Sequence, residues 1–335
     1  MYFDSNQFTF LFEHIPKTLS AQSTYSLPPI PRNMRPYLHL ALALLTLSAC
    51  QKHQDSSSNE PRPSRHIERY LLEYNDKITH AAKVKSFAEI SAFYDEESIL
   101  MAEYNPMIFS KNNIKTYYDT IFSRENIKEY SRQTVDVLDL DSRIIEIGLF
   151  TKTLNNSEKI KGKYFNVWKI DSTGRLIMRA ESFGYLNQME NTSNLVVAQA
   201  SPSIPRAIPI PWELEAYNAL NETNVMDRIP QKSANAYSEN AMYLPFADTI
   251  QTGKSTLLDH YKAYYHHPAK IDSIQVTTYA YDKVKNGYIK YAGFYVDWTV
   301  PGFSGHTEGN GISYWRREKD NSLRIHRQIG LHLHN

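Results

Sequence analysis

Part of this chain occurs twice. FYDEESILMAEYNPMIFSKNNIKTYYDTIF (residues 93–122) aligns without a gap on AYSENAMYLPFADTIQTGKSTLLDHYKAYY (236–265), 143 positions later, so that Tyr94 meets Tyr237, Lys111 meets Lys254 and Tyr118 meets Tyr261. A second block follows at an offset of 147, where Gly162 meets Gly309, Trp168 meets Trp315 and Leu176 meets Leu323. Two offsets this close mean one small insertion between the blocks, and a repeat of this length predicts two similar domains rather than one large one. Between the copies, residues 187–212 carry Pro202, Pro205, Pro209 and Pro211, which rule out a continuous helix and mark a linker. The domains are therefore placed at 65–186 and 213–335.

The residues before the first copy read as an address. PYLHLALALLTLSA (36–49) is too short to span a bilayer as a helix and has the length of a signal-peptide apolar core, with Arg35 before it. Leu47-Ser48-Ala49-Cys50 closes the run and resembles the bacterial lipobox, whose cysteine is lipidated and becomes the mature N-terminus. Cys50 is the chain's one cysteine. A disulfide framework and a Cys-rich zinc site are thereby excluded. Residues 34–49 are expected to be the signal peptide, 50–64 the lipidated Cys with a polar, Ser-rich tether, and 1–33 an extension upstream of the true start at Met34. The resemblance implies a lipid anchor at Cys50, in the bacterial outer membrane, facing the periplasm or the cell surface.

Each copy reads in the same order. A first helix (about 65–80 and 213–227) carries Ile67, Leu71, Leu72 and Tyr74, then Leu214, Tyr217, Leu220 and Val225, at helical spacing. A short second helix (84–93 and 230–237) and a small strand (98–102 and 241–245) follow. A third helix runs to about 122 and 265, with Ser110 and Ser255 as candidate caps. Four strands close each copy, the clearest being 143–153 and 288–300, then 162–170 and 309–317, then 175–185 and 322–333. The segments YDEESILM, FSKNNIKTYYDTIF and FNVWKIDSTGRLIMRAESFGY resemble the SnoaL-like branch of the nuclear transport factor 2-like superfamily. In the second copy Asn321 replaces the turn Gly174, and VPGFSGHTEGNG (300–311) reads as an insertion. The resemblance implies an α+β fold of two tandem cones, each a curved antiparallel sheet wrapped on three N-terminal helices, the two pairing through their sheet faces.

Chemistry is harder to find. Lys and Arg number 37 against 36 Asp and Glu, a net charge of +1, which leaves no electrostatic footprint for nucleic acid. No phosphate loop, metalloprotease helix, serine-hydrolase elbow or cofactor motif occurs, and His332 with His334 lacks the third ligand a metal site needs. Simple alternation places Ala292, Phe294, Val296 and Trp298, with Ile145, Ile147 and Leu149, against the helices, and Ile289, Tyr291, Tyr295 and Asp297 outward. It also puts Arg327 among Leu323, Ile325 and Ile329, lining a pocket or paired with Glu308 or Glu318. Glu181 reads as a surface pair with Arg179. His260, one turn before Tyr264, offers a general base or donor in the second cone. His260, Tyr264 and Arg327 are thus the catalytic candidates. The expected function is a small-molecule-binding or protein-interaction module, with 24 tyrosines suiting a small apolar or aromatic ligand. The other reading is a SnoaL-type isomerase, cyclase or hydrolase acting in the second cone.

Overall fold

A computed structural model describes residues 64–197 and 208–334. The signal peptide, Cys50 and the upstream extension lie outside the described residues. Among the described residues no helix is long and apolar enough to cross a membrane.

The first copy opens with α1 (Arg65–Val84). Ser64 sits in extended backbone and its hydroxyl accepts from the Ile67 amide at 3.4 Å, while Lys85 ends the helix in left-handed conformation. Ile67, Leu71, Tyr74, Asn75, Ile78, Ala81 and Ala82 form the buried face. Leu72, expected inside, is exposed, and the polar Asn75 takes the inner position instead. Two single 3₁₀ turns (Phe87–Glu89 and Ser91–Phe93) replace the expected second helix. Then come β1 (Ile99–Ala102), β2 (Ile108–Phe109), α2 (Lys111–Arg124), β3 (Ile127–Asp139), β4 (Arg143–Leu154), β5 (Lys159–Ile170) and β6 (Leu176–Tyr185). The second copy repeats the series as α3 (Trp212–Asp227), α4 (Pro230–Asn235), β7 (Tyr237–Leu244), β8 (Gln251–Thr252), α5 (Lys254–His266), β9 (Lys270–Val284), β10 (Gly287–Val300), β11 (Phe303–Arg317) and β12 (Leu323–His332). On α3, Leu214, Asn218 and Asn224 are buried while Leu220 is exposed.

Two six-stranded sheets result, ordered β2-β1-β6-β5-β4-β3 and β8-β7-β12-β11-β10-β9. All neighbours are antiparallel except β1 with β6 and β7 with β12. The helices cover one face of each sheet, α1 against β3 and α3 against β9, and give the two tandem α+β cones. Ser110 caps α2 by backbone alone, at φ 74°, where Gly253 stands at φ 84° before α5. Neither Ser110 nor Ser255 makes the expected side-chain cap.

The outer faces of the two sheets share one apolar core. Ile145, Ile147, Phe165 and Val167 of the first sheet pack with Ile289, Tyr291, Ile312, Tyr314 and Ile329 of the second. Ile145 and Ile147 therefore point away from their helices, and Ile289 and Tyr291 away from solvent, opposite to the alternation reading. Ion pairs cross this interface, two of them short. Arg143 forks onto Asp282 at 2.8 and 3.0 Å, and Arg327 reaches Asp136 at 2.7 Å. The linker's described ends also pack: Leu195 and Val197 are buried on the first copy, where Asn105 bonds the Leu195 carbonyl and the Val197 amide.

Candidate functional site

The interior of the first cone is built around two buried carboxylates. Glu181, on β6, is fully buried rather than a surface partner of Arg179. It accepts from the Tyr74 hydroxyl at 2.9 Å and from Tyr94 and Tyr118, both at 2.6 Å. One helix, the loop before β1 and a second helix each supply a phenol. Burial, and next the Glu181 charge, push all three phenols well above their ordinary range, so they remain donors. Glu146, on β4, is ringed by Asn75 (2.9 Å), Thr134 (2.7 Å), Tyr164 (3.1 Å), Asn166 (3.1 Å) and Trp168 (3.2 Å). That Asn75 turns inward on α1 is explained by this bond, since a buried carboxylate must be met by donors.

Arg132 stands between these groups. Its side chain is 3% exposed, lies 3.9 Å over the Tyr164 ring, and approaches Glu181 at 3.6 Å. Burial opposes its charge, but the surrounding phenols and Glu181 more than offset that, and the guanidinium stays cationic. Nε and Nη2 of Arg132 have no hydrogen-bond partner. Arg132 also lines a cavity of about 20 Å³, with Tyr118, Tyr130, Lys152, Tyr164 and Glu181 among its other walls, which has room for one water-sized group. Lys152 is held by Glu125 at 2.8 Å. Burial lowers the Lys152 ammonium's affinity for its proton, and Glu125 more than restores it.

The second cone has the same positions with different residues. Strand register fixes the equivalence: Glu146 lies opposite Asn166, which lies opposite Glu181, as Lys290 lies opposite Ser313 and Ser313 opposite Gln328. Likewise Val276 takes the place of Arg132, since they pair with Phe294 and Phe150. Tyr237 donates to Gln328 at 2.7 Å and shares a hydrogen bond with Tyr261 at 2.9 Å, as Tyr94 and Tyr118 serve Glu181. The second cone lacks the Glu146–Arg132–Glu181 set and has a lysine in the place of Glu146.

The sequence candidates do not converge. The His260 ring lies beside Tyr243 (5.7 Å) and Tyr264 (6.3 Å), with Nδ1 3.4 Å from an Asp248 carboxylate oxygen. Tyr264 is half exposed. Arg327 faces the first copy, on the other side of its sheet from α5; its partners are Asp136 and the Asn240 and His326 carbonyls, not Glu308 or Glu318. His332 stacks on Phe246 at 4.0 Å, and burial pushes its ring down to about 4, while His334 meets Thr192. Asp297 accepts from Ser273 at the surface. Among the described residues no group of three or more His, Cys, Asp or Glu is placed to hold a metal ion.

No protein-family model and no curated protein matches the chain. Solved structures do. A ketosteroid isomerase-like protein from Erwinia carotovora is 11% identical, over 36% of this chain and 94% of its own, with a TM-score of 0.33. A nuclear transport factor 2-like superfamily protein from Salmonella enterica is 11% identical, over 36% of this chain and 89% of its own, at 0.32. A putative calcium/calmodulin-dependent protein kinase II association domain from Xanthomonas campestris is 10% identical, over 41% of this chain and 98% of its own, at 0.33. By its own strand order and helix placement, the chain carries one α+β cone twice.

Proposed function

We propose that this chain is a lipid-anchored envelope protein with two SnoaL-like domains, in which the first cone is a binding module for a small molecule. The supporting observation is Arg132. A nearly buried guanidinium with two unmatched nitrogens, on a residue that lines a small cavity, favours the approach of an acceptor oxygen, because buried donors left unpaired cost about 1–3 kcal/mol each. The space beside it holds one water-sized group, so a ligand larger than that requires the aromatic lining of Tyr118, Tyr130 and Tyr164 to move aside. An enzymatic reading of this cone is weaker. Glu181 is the carboxylate beside the cavity, and three phenolic hydroxyls already donate to its two oxygens, which leaves it little room to reach a substrate proton.

Native mass spectrometry of the full chain extracted in mild detergent tests the binding. An added mass that is lost on denaturation, and absent from a folded Arg132→Met variant, is the expected result. A bare mass in both, with no thermal shift from small carbonyl or carboxyl compounds, would overturn it. The anchor is tested separately: Cys50→Ala should release the protein from membranes, and unchanged retention would count against lipidation.

A further inference from the structure

We infer that Lys290 and Asn218, which touch inside the second cone, join covalently: the lysine amine displaces ammonia from the asparagine amide and leaves an isopeptide cross-link between β10 and α3. The inference does not rest on the reading of the first cone. It needs no route from solvent either, because both reactants belong to the chain. Lys290 and Asn218 are both buried. The Lys290 Nζ donates to the Asn218 Oδ1 and lies 5.4 Å from the centre of the Trp315 ring. At the other end of the same amide, Nδ2 donates to the buried Thr278 hydroxyl of β9 at 3.5 Å. The amine thus stands at the carbonyl of the amide, and a hydroxyl stands at the nitrogen that leaves.

The first copy holds the same trio with an acid in place of the amine. Asn75 of α1 donates to Thr134 at 3.2 Å and to Glu146 at 2.9 Å. Exchanging the carboxylate for a lysine reverses the end of the amide that is presented, from its N–H₂ to its carbonyl. Only the second arrangement sets a nucleophile against an electrophile. The helix that carries Asn218 also has more to gain from a tie. Leu214, Asn218 and Asn224 are the buried residues of α3, and Trp212, Leu220 and Met226 are exposed, whereas α1 buries a full apolar face. Most helical stability in proteins comes from such packing, so α3 is the helix a covalent bond would hold most usefully.

Energetics favour the exchange. A buried ammonium without a counter-ion is costly, and the reaction replaces it with a neutral amide. Burial, partly opposed by Glu222 of α3, brings the amine down to about 8, so part of it is already neutral near physiological pH. Two groups held in contact by a packed core react at effective concentrations of about 10⁵–10⁸ M. In the reaction Nζ bonds to Cγ of Asn218, the Cγ–Nδ2 bond breaks, and one amine hydrogen passes to Nδ2, which departs as ammonia. The Thr278 hydroxyl is placed to relay that proton. No oxidant or reductant is consumed.

The test is tryptic peptide mapping of the purified full chain by mass spectrometry. Trypsin should fail to cut after Lys290. A branched peptide should join the segment containing Asn218 to the one containing Lys290, lighter by one ammonia than the two together, with fragmentation placing the bond at these residues. Lys85 and Asn126, an exposed pair in contact at 3.0 Å, should give linear peptides in the same digest. The wild-type map is decisive by itself, and Asn218→Ala should restore cleavage after Lys290. Linear peptides alone, with Lys290 cut and the Asn218 amide intact, would overturn the inference.

Discussion

Glu181 and Arg132 act as a pair whose members cannot be changed separately. Glu181→Gln would leave a buried guanidinium without an anion and set an amide N–H₂ against phenolic donors, so we expect a loss of about 3–5 kcal/mol in urea unfolding. The second copy shows how the same position tolerates Gln: Gln328 sits where Val276 has replaced the arginine. Arg132→Val should accordingly cost less in the Glu181→Gln background than alone, and a double-mutant cycle measures that coupling. Lys290, where it is not linked to Asn218, behaves in the opposite sense. Its folded-state affinity for the proton is reduced, so the unfolded chain binds more protons between about pH 8 and 10.5 and stability rises with pH through that window. Lys290→Met is therefore expected to be more stable than Asn218→Ala, which keeps the amine unlinked, by about 1–3 kcal/mol at pH 7, with the gain shrinking by pH 10 in paired denaturation curves.

At the scale of the element, the last strand of each sheet decides what was readable. Val167 pairs with Ala180 and Trp168 with Met178, leaving Arg179 as a bulge; Tyr314 pairs with Arg327 and Trp315 with Ile325, leaving His326 in the matching place. One extra residue reverses which face every later side chain takes. Strict alternation therefore sends Glu181 out with Arg179 and brings Arg327 in with Ile325, and both are wrong for one reason. The repeat and the helix and strand order were legible, because apolar spacing survives at low identity. The candidate site was not, because Tyr74, Tyr94, Tyr118, Arg132 and Glu181 are far apart in sequence and converge only through the fold. The repeat did hold one clue: Tyr94/Tyr237 and Tyr118/Tyr261 align, and these are inward phenols in both cones. The helix starts give a further expectation. Ser110 holds a backbone conformation that its counterpart Gly253 adopts freely, so Ser110→Gly should raise the unfolding midpoint, with about 1 kcal/mol gained from relieved strain.

The molecule as a whole is held by the face the two sheets share. Burial pushes the Asp282 carboxyl up, but hydrogen bonds from Arg143 and Tyr291, with the Arg179 and Arg143 charges, hold it below its ordinary value. The stability this contributes is present above about pH 4 and is lost as pH falls through the lowered value. Asp282→Asn is expected to cost about 3 kcal/mol at neutral pH and to remove that part of the acid sensitivity, which pH-dependent denaturation would show. With one apolar core spanning both copies, far-UV circular dichroism and tryptophan fluorescence should report a single coincident unfolding transition. Two separate transitions would mean that the copies are independent.

Joining the copies in one chain also changes how the pair can evolve. In a symmetric dimer of identical chains, any substitution arrives twice, so a carboxylate exchanged for a lysine would alter both chambers at once. Here Glu146 and Lys290 occupy equivalent positions under separate inheritance, and Arg143–Asp282 and Arg327–Asp136 are two different clasps across one seam. Covalent fusion lets one half change while the other keeps its residues, so the two chambers can differ, as they do at Glu146 and Lys290.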